Sequence, residues 1–377
     1  MTDWVVYRRD PQLRRTGVLP FVRLEAGLRW SAPSRAIIDT HTSDAGGLQI
    51  GDGLILSRNG RTELSGVVAE VERTVQGGED RLQLVVVDEV GRLARRVHPD
   101  PAVPADGTQP ARDVRTGPAG QVISQFVDVN AGEGARAERR LPGLEVVPST
   151  DGGTVTGRGR WQDLIGFCAV LADRGGVGFR AVQQLGVPAA IRFEIVVPQD
   201  RFEARFDLDG LSGSGALAGF RARTKLPDLT VAYAGGRGEL EDRLVRAGQG
   251  GLEFGRWETW LDRNNAGDDD DMQSQIDELD DAIVDALRDG AVQADLDLDP
   301  IDSPALAWTV HYEVGDRVRV KLGGGFEWRQ VRGVDVQVSA DGERVKPLLG
   351  DAARSQRLQL LARLGMLEKQ VDERGLG

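Results

Sequence analysis

The sequence predicts a mainly β protein with an α+β insertion: two tube-like β-barrel domains flank a small α+β domain, and a helix closes the chain. Three observations carry this. Residues 51–101 hold three apolar runs, Leu54-Ile55-Leu56, residues 64–71 and residues 82–87, parted by Asn59-Gly60 and by Gly77-Gly78-Glu79-Asp80. Asn-Gly suits a type I′ turn, in which both central residues need positive φ, so this is an antiparallel meander. Val318, Val320 and Leu322 alternate with Arg317, Arg319 and Lys321, and Val334, Val336 and Val338 alternate with Asp335 and Gln337. Such a period of two gives a sheet with one apolar and one charged face. Between these regions, apolar residues recur at helical spacing.

In chain order, residues 4–7 and 18–24 read as first strands, parted by the polar stretch 8–16. Residues 28–30 and 35–41 continue the pattern across a break at Pro33. With 51–88 this makes about six strands, enough for a small closed barrel. Pro99, Pro101, Pro104 and Pro110 then mark a linker or exposed loop. In PAGQVISQFVDVNAG, Pro118 suits a first helical turn, and Val122, Ile123, Phe126 and Val127 share a face. Residues 139–147 are extended. A second helix is expected over 161–172, with Leu164, Ile165, Cys168 and Leu171 on one stripe and Gly175-Gly176 as its stop. Residues 177–182 and 191–197 read as strands.

Residues 201–206 read as a strand, 209–219 as a Gly/Ser loop and 229–233 as extended chain. The acidic run 268–271 leads into MQSQIDELDDAIVDALRDG, where Ile276, Leu279, Ile283 and Leu287 form a stripe that Gly290 ends. Residues 308–312 read as a strand, and Asp341-Gly342 marks a late turn. Leu360, Leu364, Leu367 and Val371, spaced four, three and four, make a short seam near the end. The expected domains are a first β-barrel domain (1–101), an α+β middle domain (102–200), a second β domain with an inserted acidic helix (201–350, helix 272–289) and a C-terminal helix (351–377).

The chain has 377 residues and a formal net charge of −12, a balance that argues against general nucleic-acid binding. No apolar run approaches the ~20 residues of a membrane span. The N-terminus MTDWVVYRRDPQLRRTG lacks the order of a secretory signal, so folding in a cytoplasm is expected. Cys168 is the single cysteine, which rules out an intrachain disulfide.

Asp295, Asp297 and Asp299 alternate in ADLDLDP, but the glycine and glutamate of a calcium loop are replaced by Pro300 and Leu306. They are expected on a strand, in water. The run 268–271 could bind a divalent cation loosely; a solvated loop is the preferred reading. Cys168 sits on an apolar stripe with no activating motif and is expected to be structural. His41, His98 and His311 are expected to be structural or surface residues, with His311 on a strand. GLSGSGALAG lacks the lysine of a phosphate loop. Carboxylate pairs of the glycosidase type stay open, since such partners can be distant in the chain. Trp257 and Trp260 are the tryptophans to consider for a groove, with core packing preferred. No catalytic, cofactor-binding or metal-ligating residue is expected, and no cofactor.

Taken together, GDGLILSRNG with its trailing GVV, VVVDEVGRLARRVHPDP, VISQFVDVNAG, RRLPGLEV, YEVGDRVRVKL and GVDVQVSADGERVKPLLGD resemble one family in order and spacing. It is the tail-tip hub, or minor tail protein, family of long-tailed phages (siphoviruses) that infect actinobacteria, related to baseplate hubs and tail-associated lysins. The resemblance implies a homotrimeric ring whose paired β domains match a hexameric tail tube. It implies as partners the distal tail protein, the tape measure protein and other tail-tip or fibre proteins, with phage DNA passing without specific binding. It implies a place at the tail tip of the virion. Some relatives carry a peptidoglycan-cleaving domain; none is expected here, and the protein is expected not to be an enzyme. A tip hydrolase and a carbohydrate-binding receptor module are the alternatives. Truncation after Gly350 is expected to remove an assembly contact without unfolding the barrels.

Overall fold

Asn59 and Gly60 adopt φ of 50° and 80°, so the hairpin that the sequence specified is a type I′ turn. The computed structural model describes residues 3–102, 104, 112–184, 189–207, 215–264, 266, 272–291, 293–300, 306–322 and 325–350. The chain is mainly β, as expected, and forms two compact units, residues 1–219 with 298–377, and residues 220–297.

The first unit begins with β1 (Trp4–Arg9), β2 (Arg15–Leu19), β3 (Arg23–Arg29), β4 (Arg35–His41), the short α1 (Thr42–Ala45), β5 (Gly53–Arg58), β6 (Arg61–Gln76), β7 (Glu79–Asp88) and the short α2 (Glu89–Arg92). The stretch expected as one strand over 18–24 is two, β2 and β3, because Pro20 lies between them and lacks a backbone donor. β6 runs 16 residues and takes a bulge between Val68 and Glu70, which bends it. Alternation places Leu24, Ile38, Leu56, Leu84 and Val86 inside, each fully buried.

Next come β8 (Asp113–Pro118), α3 (Ala119–Ala131), β9 (Leu144–Val146), β10 (Thr154–Gly159), α4 (Leu164–Gly175), β11 (Gly178–Gln184) and β12 (Ala190–Val196). Both helices keep their predicted apolar stripes. α4 starts at Leu164, three residues later than expected, because Asp163 caps it by accepting from Gly166 N at 2.7 Å. Trp161 instead has a φ of 61°. Phe126 meets Phe167 edge-on at 4.9 Å, and Phe179 stacks on Phe193 at 5.4 Å. Full burial of Phe126, Phe179 and Phe193 stabilises by about 2 kcal/mol each. Leu13, Val90, Leu93 and Val97, from the preceding β region, belong to this same core.

The rest of the strands are β13 (Asp200–Asp207), β14 (Gly215–Lys225), β15 (Val231–Gly235), β16 (Val245–Gln249), β17 (Glu258–Asp262), then α5 (Met272–Asp289), β18 (Gln293–Pro300), β19 (Arg317–Leu322), β20 (Gly325–Ser339) and β21 (Gly342–Leu349). The expected Gly/Ser loop is cut short, since β14 already begins at Gly215. Residues 208–214, 268–271 and 351–377 lie outside the described residues. Residues 308–312, expected as a strand, form a turn in which Thr309 has a φ of 67° and an isolated bridge joins Trp308 to Tyr312.

One 13-stranded sheet runs β18-β14-β13-β19-β20-β3-β4-β7-β6-β5-β1-β2, with β21 also on β20. Its two β regions are joined where β20 pairs antiparallel with β3, from Leu24 opposite Val338 to Arg29 opposite Gly333. In the second unit β15 is central between β16 and β17. α5 covers one face through buried Leu279 and Ile283, packed with Ala232 and Ala234. Ile276 and Leu287 are half-buried on the same predicted stripe.

Candidate functional site

The residues singled out in the sequence do not converge. Cys168 is fully buried on α4, and burial pushes its thiol well above the ordinary range. His41 is exposed. His98 is buried against the edge of Trp161 at 4.7 Å, and its Nδ1 accepts from Asp100 N at 3.0 Å. Burial pushes its imidazole below the ordinary value. His311 lies in the 308–312 turn, not on a strand, and its Nδ1 accepts from Ala307 N at 2.9 Å. Asp295, Asp297 and Asp299 are on β18, a strand as expected. Among the described residues, no group of three or more His, Cys, Asp or Glu is placed to hold a metal ion.

The first unit holds a cavity of about 270 Å³, lined by Trp30, Arg61, Glu63, Arg180, Glu313 and Asp316 among others. The Trp30 indole fits because Gly178 and Gly315 flank it; a Cβ at either would lie 2.1 or 2.0 Å from a ring carbon. Arg61 Nη1 and Nη2 donate to the two Glu313 oxygens at 2.5 and 2.6 Å, and Arg61 Nε is 3.6 Å from Glu63. Arg201 Nε donates to Asp316 Oδ2 at 2.7 Å, and Asp316 also accepts from Glu313 N at 3.0 Å and Gln199 N at 3.2 Å. Burial pushes the Glu63 carboxyl up to about 7. At Glu313 burial also pushes upward, but the Arg61 hydrogen bonds and charge outweigh it and hold that carboxyl below its ordinary range. The arginines thus clamp β6, β13 and the 306–316 turn around the cavity, which is what bidentate guanidinium–carboxylate pairs do well.

A second charged cluster centres on an enclosed ion pair. Arg9 pairs with Glu89 at 2.5 Å, and their side chains are 2% and 0% exposed. Arg9 Nη1 donates to Gln183 Oε1 at 2.6 Å, and Arg92 pairs with Glu89 at 2.7 Å. Beside it, burial pushes the Asp88 carboxyl up to about 7, although Asp88 accepts from Gly91 N at 2.7 Å. A third cluster ties Arg58 to Glu343 at 2.7 Å and to Thr309 Oγ1 at 2.7 Å, with its guanidinium over Trp308 at 4.9 Å. Trp4 Nε1 donates to the same Glu343 at 2.7 Å. Sequence reasoning missed all three, since their members lie up to hundreds of residues apart.

Large aromatics at the surface are the other departure. Trp257 and Trp260 are 47% and 50% exposed, so the preferred core packing is wrong for both. Trp260 lies beneath Arg243 at 5.3 Å on the face of the β15–β17 sheet opposite α5. In the first unit Phe202 and Trp328 meet edge-on at 5.1 Å. Arg319 lies over Phe326 at 5.2 Å and donates to Phe202 O at 2.8 Å.

Among the described residues, no helix is long and apolar enough to cross a membrane. No curated protein matches the chain. Its fold is similar to that of the 43 kDa tail protein of prophage MuSo2 from Shewanella oneidensis, at TM-score 0.55 and 8% identity, over 93% of this chain and 98% of that one. It is also similar to the tail protein from Neisseria meningitidis MC58, at TM-score 0.53 and 12% identity, over 92% of this chain and 96% of that one. At such identities the likeness is one of fold. The sequence itself is matched over residues 4–351, nearly its whole length, by one family of siphovirus tail proteins. The chain therefore belongs to the Siphovirus ReqiPepy6 Gp37-like protein family.

Proposed function

We propose that this virion tail protein is the structural hub of the tail tip. Three copies form a ring that closes or adapts the end of the tail tube. The ring anchors the distal tail, tape measure and fibre or other tip proteins, and DNA passes through without specific binding. The observation that carries this reading is the family match across residues 4–351, joined to a fold shared over nine-tenths of the chain with phage tail proteins. In this reading residues 1–101 and 201–350 supply the two tube-like β domains and residues 102–200 the middle domain.

The charge supports the same reading. Three copies at −12 carry −36, and part of that lining a channel would keep a polyanion from adhering. Shape rather than catalysis is the working principle, consistent with carboxylates clamped by arginines at the cavity. The test is the mass of the assembled ring together with its place in the virion. Three copies of a 40.8 kDa chain give about 122 kDa, with label at the tail end distal to the capsid. A lone subunit away from the tail axis, or turnover of host cell wall by the purified chain, would overturn it.

A further inference from the structure

We propose that the cavity beside Trp30 is a binding site for a primary ammonium group on an aliphatic stem, with Glu63 as its counter-charge. Every residue that lines it belongs to the first unit.

Glu63 reaches the cavity through an irregularity in its strand. Leu64 pairs with Leu56 and Thr62 with Ser57, so Glu63 is the extra residue of a bulge in the β5–β6 pair. A bulge re-aims the side chain it carries. This side chain is 6% exposed and lines the cavity. Among the described residues no hydrogen bond reaches its carboxylate, and the cation that approaches it is Arg61, whose Nε stands 3.6 Å from Oε1. Both terminal nitrogens of Arg61 are committed to Glu313.

The other lining arginines are taken as well. Arg29 pairs with Asp335 at 2.7 Å, Arg180 with Glu194 at 2.6 Å and Arg201 with Asp316 at 2.7 Å. Glu63 and Asp88 are therefore the lining acids that, among the described residues, no guanidinium holds by a hydrogen bond, and burial pushes both up to about 7. An enclosed carboxylate with too little counter-charge, facing a cavity, marks a place for a cation. With Oε1 turned to Arg61, one oxygen of Glu63 is left to receive it. A single oxygen suits the compact charge of an ammonium better than the two-pronged fork of a guanidinium. Leu28, Val90, Phe179 and Val314 offer apolar wall to a stem. At about 270 Å³ the cavity falls below the roughly 300–1,000 Å³ of pockets for drug-sized ligands, so its occupant is of side-chain size. A lysine side chain of a partner protein and a free aliphatic amine present the same chemistry, and the test separates them.

The test is a ligand-observed NMR titration of the full chain with n-pentylamine, its neutral counterpart n-pentanol, and Nα-acetyl-lysine amide. At pH 8 n-pentylamine should bind at least ten-fold more tightly than n-pentanol. Glu63→Gln should weaken the amine at least ten-fold and leave the alcohol unchanged. Lowering the pH to 5 should weaken the amine at least ten-fold in the wild type. Arg61, Arg58 and Arg180 favour the ionised form of Glu63 and Glu313 opposes it, but burial outweighs the arginines, so Glu63 is protonated there. Acetyl-lysine amide binding as tightly as n-pentylamine would support the proposal with a partner's side chain as the source; n-pentylamine binding alone would support it with a free amine. No saturable binding of either amine would overturn the proposal. Equal amine affinity in wild type and Glu63→Gln would also overturn it, as would equal affinity for amine and alcohol.

Discussion

Replacing Glu63 with glutamine keeps the side chain's shape and removes its charge, which isolates the cost of enclosing that charge. The folded carboxyl titrates at about 7 against an ordinary 4.5, because burial disfavours its ionised form more than Arg61 favours it. At about 1.36 kcal/mol for each tenfold step in proton affinity, the gap amounts to about 3 kcal/mol. Between pH 4.5 and 7 the folded chain holds a proton that the unfolded chain has released. Stability therefore falls as pH rises through this window and levels off above it. Asp88, at about 7 against an ordinary 3.8, adds a similar fall over a slightly wider window. Glu63→Gln removes the first contribution and leaves the second. The 3.6 Å attraction to Arg61 is already included in that gap. Urea unfolding at pH 5 and pH 8 is the assay. The variant should exceed the wild type by about 2–3 kcal/mol at pH 8, and most of that advantage should be gone at pH 5. Parallel stability curves for the two proteins would refute the reasoning, as would a variant weaker at pH 8.

Arg9→Ala leaves Glu89 charged and enclosed, and should cost about 4 kcal/mol in thermal or urea melts. Arg9→Met combined with Glu89→Leu should recover most of that loss. Gly66→Ala should cost more than about 3 kcal/mol, or abolish soluble expression, because the new Cβ would lie 2.0 Å from Val87 O across the β6–β7 pair. Trp260→Ala should change the melting free energy by less than about 1 kcal/mol, where a core tryptophan would cost about 3–5 kcal/mol.

Features governed by neighbours in sequence were legible, and those governed by distant partners were not. Asn59-Gly60 declares its turn because few other pairs accept positive φ twice, and the stripes of α3, α4 and α5 are local by nature. Residues 308–312 misled because two buried aromatics, Trp308 and Tyr312, can anchor a turn as well as a strand. Here Trp308 is held by Arg58, about 250 positions away. β16 and β17 escaped notice because VRAGQ and ETWLD bury too little for a clear alternation. The carboxylates that matter electrostatically, Glu63, Asp88 and Glu89, look like surface residues until β11 and the 306–316 turn enclose them. The exposed tryptophans show the converse, since composition alone assigns a large ring to the interior.

The union of β3 with β20 also sets a timetable for synthesis. When β3 leaves the ribosome its partner is still some 300 residues from being translated, a delay on the order of half a minute at ordinary elongation rates. Until then one side of β3 is an unsatisfied ribbon, and a nascent subunit cannot finish its sheet. Completion of the fold thus reports that translation has reached residue 338.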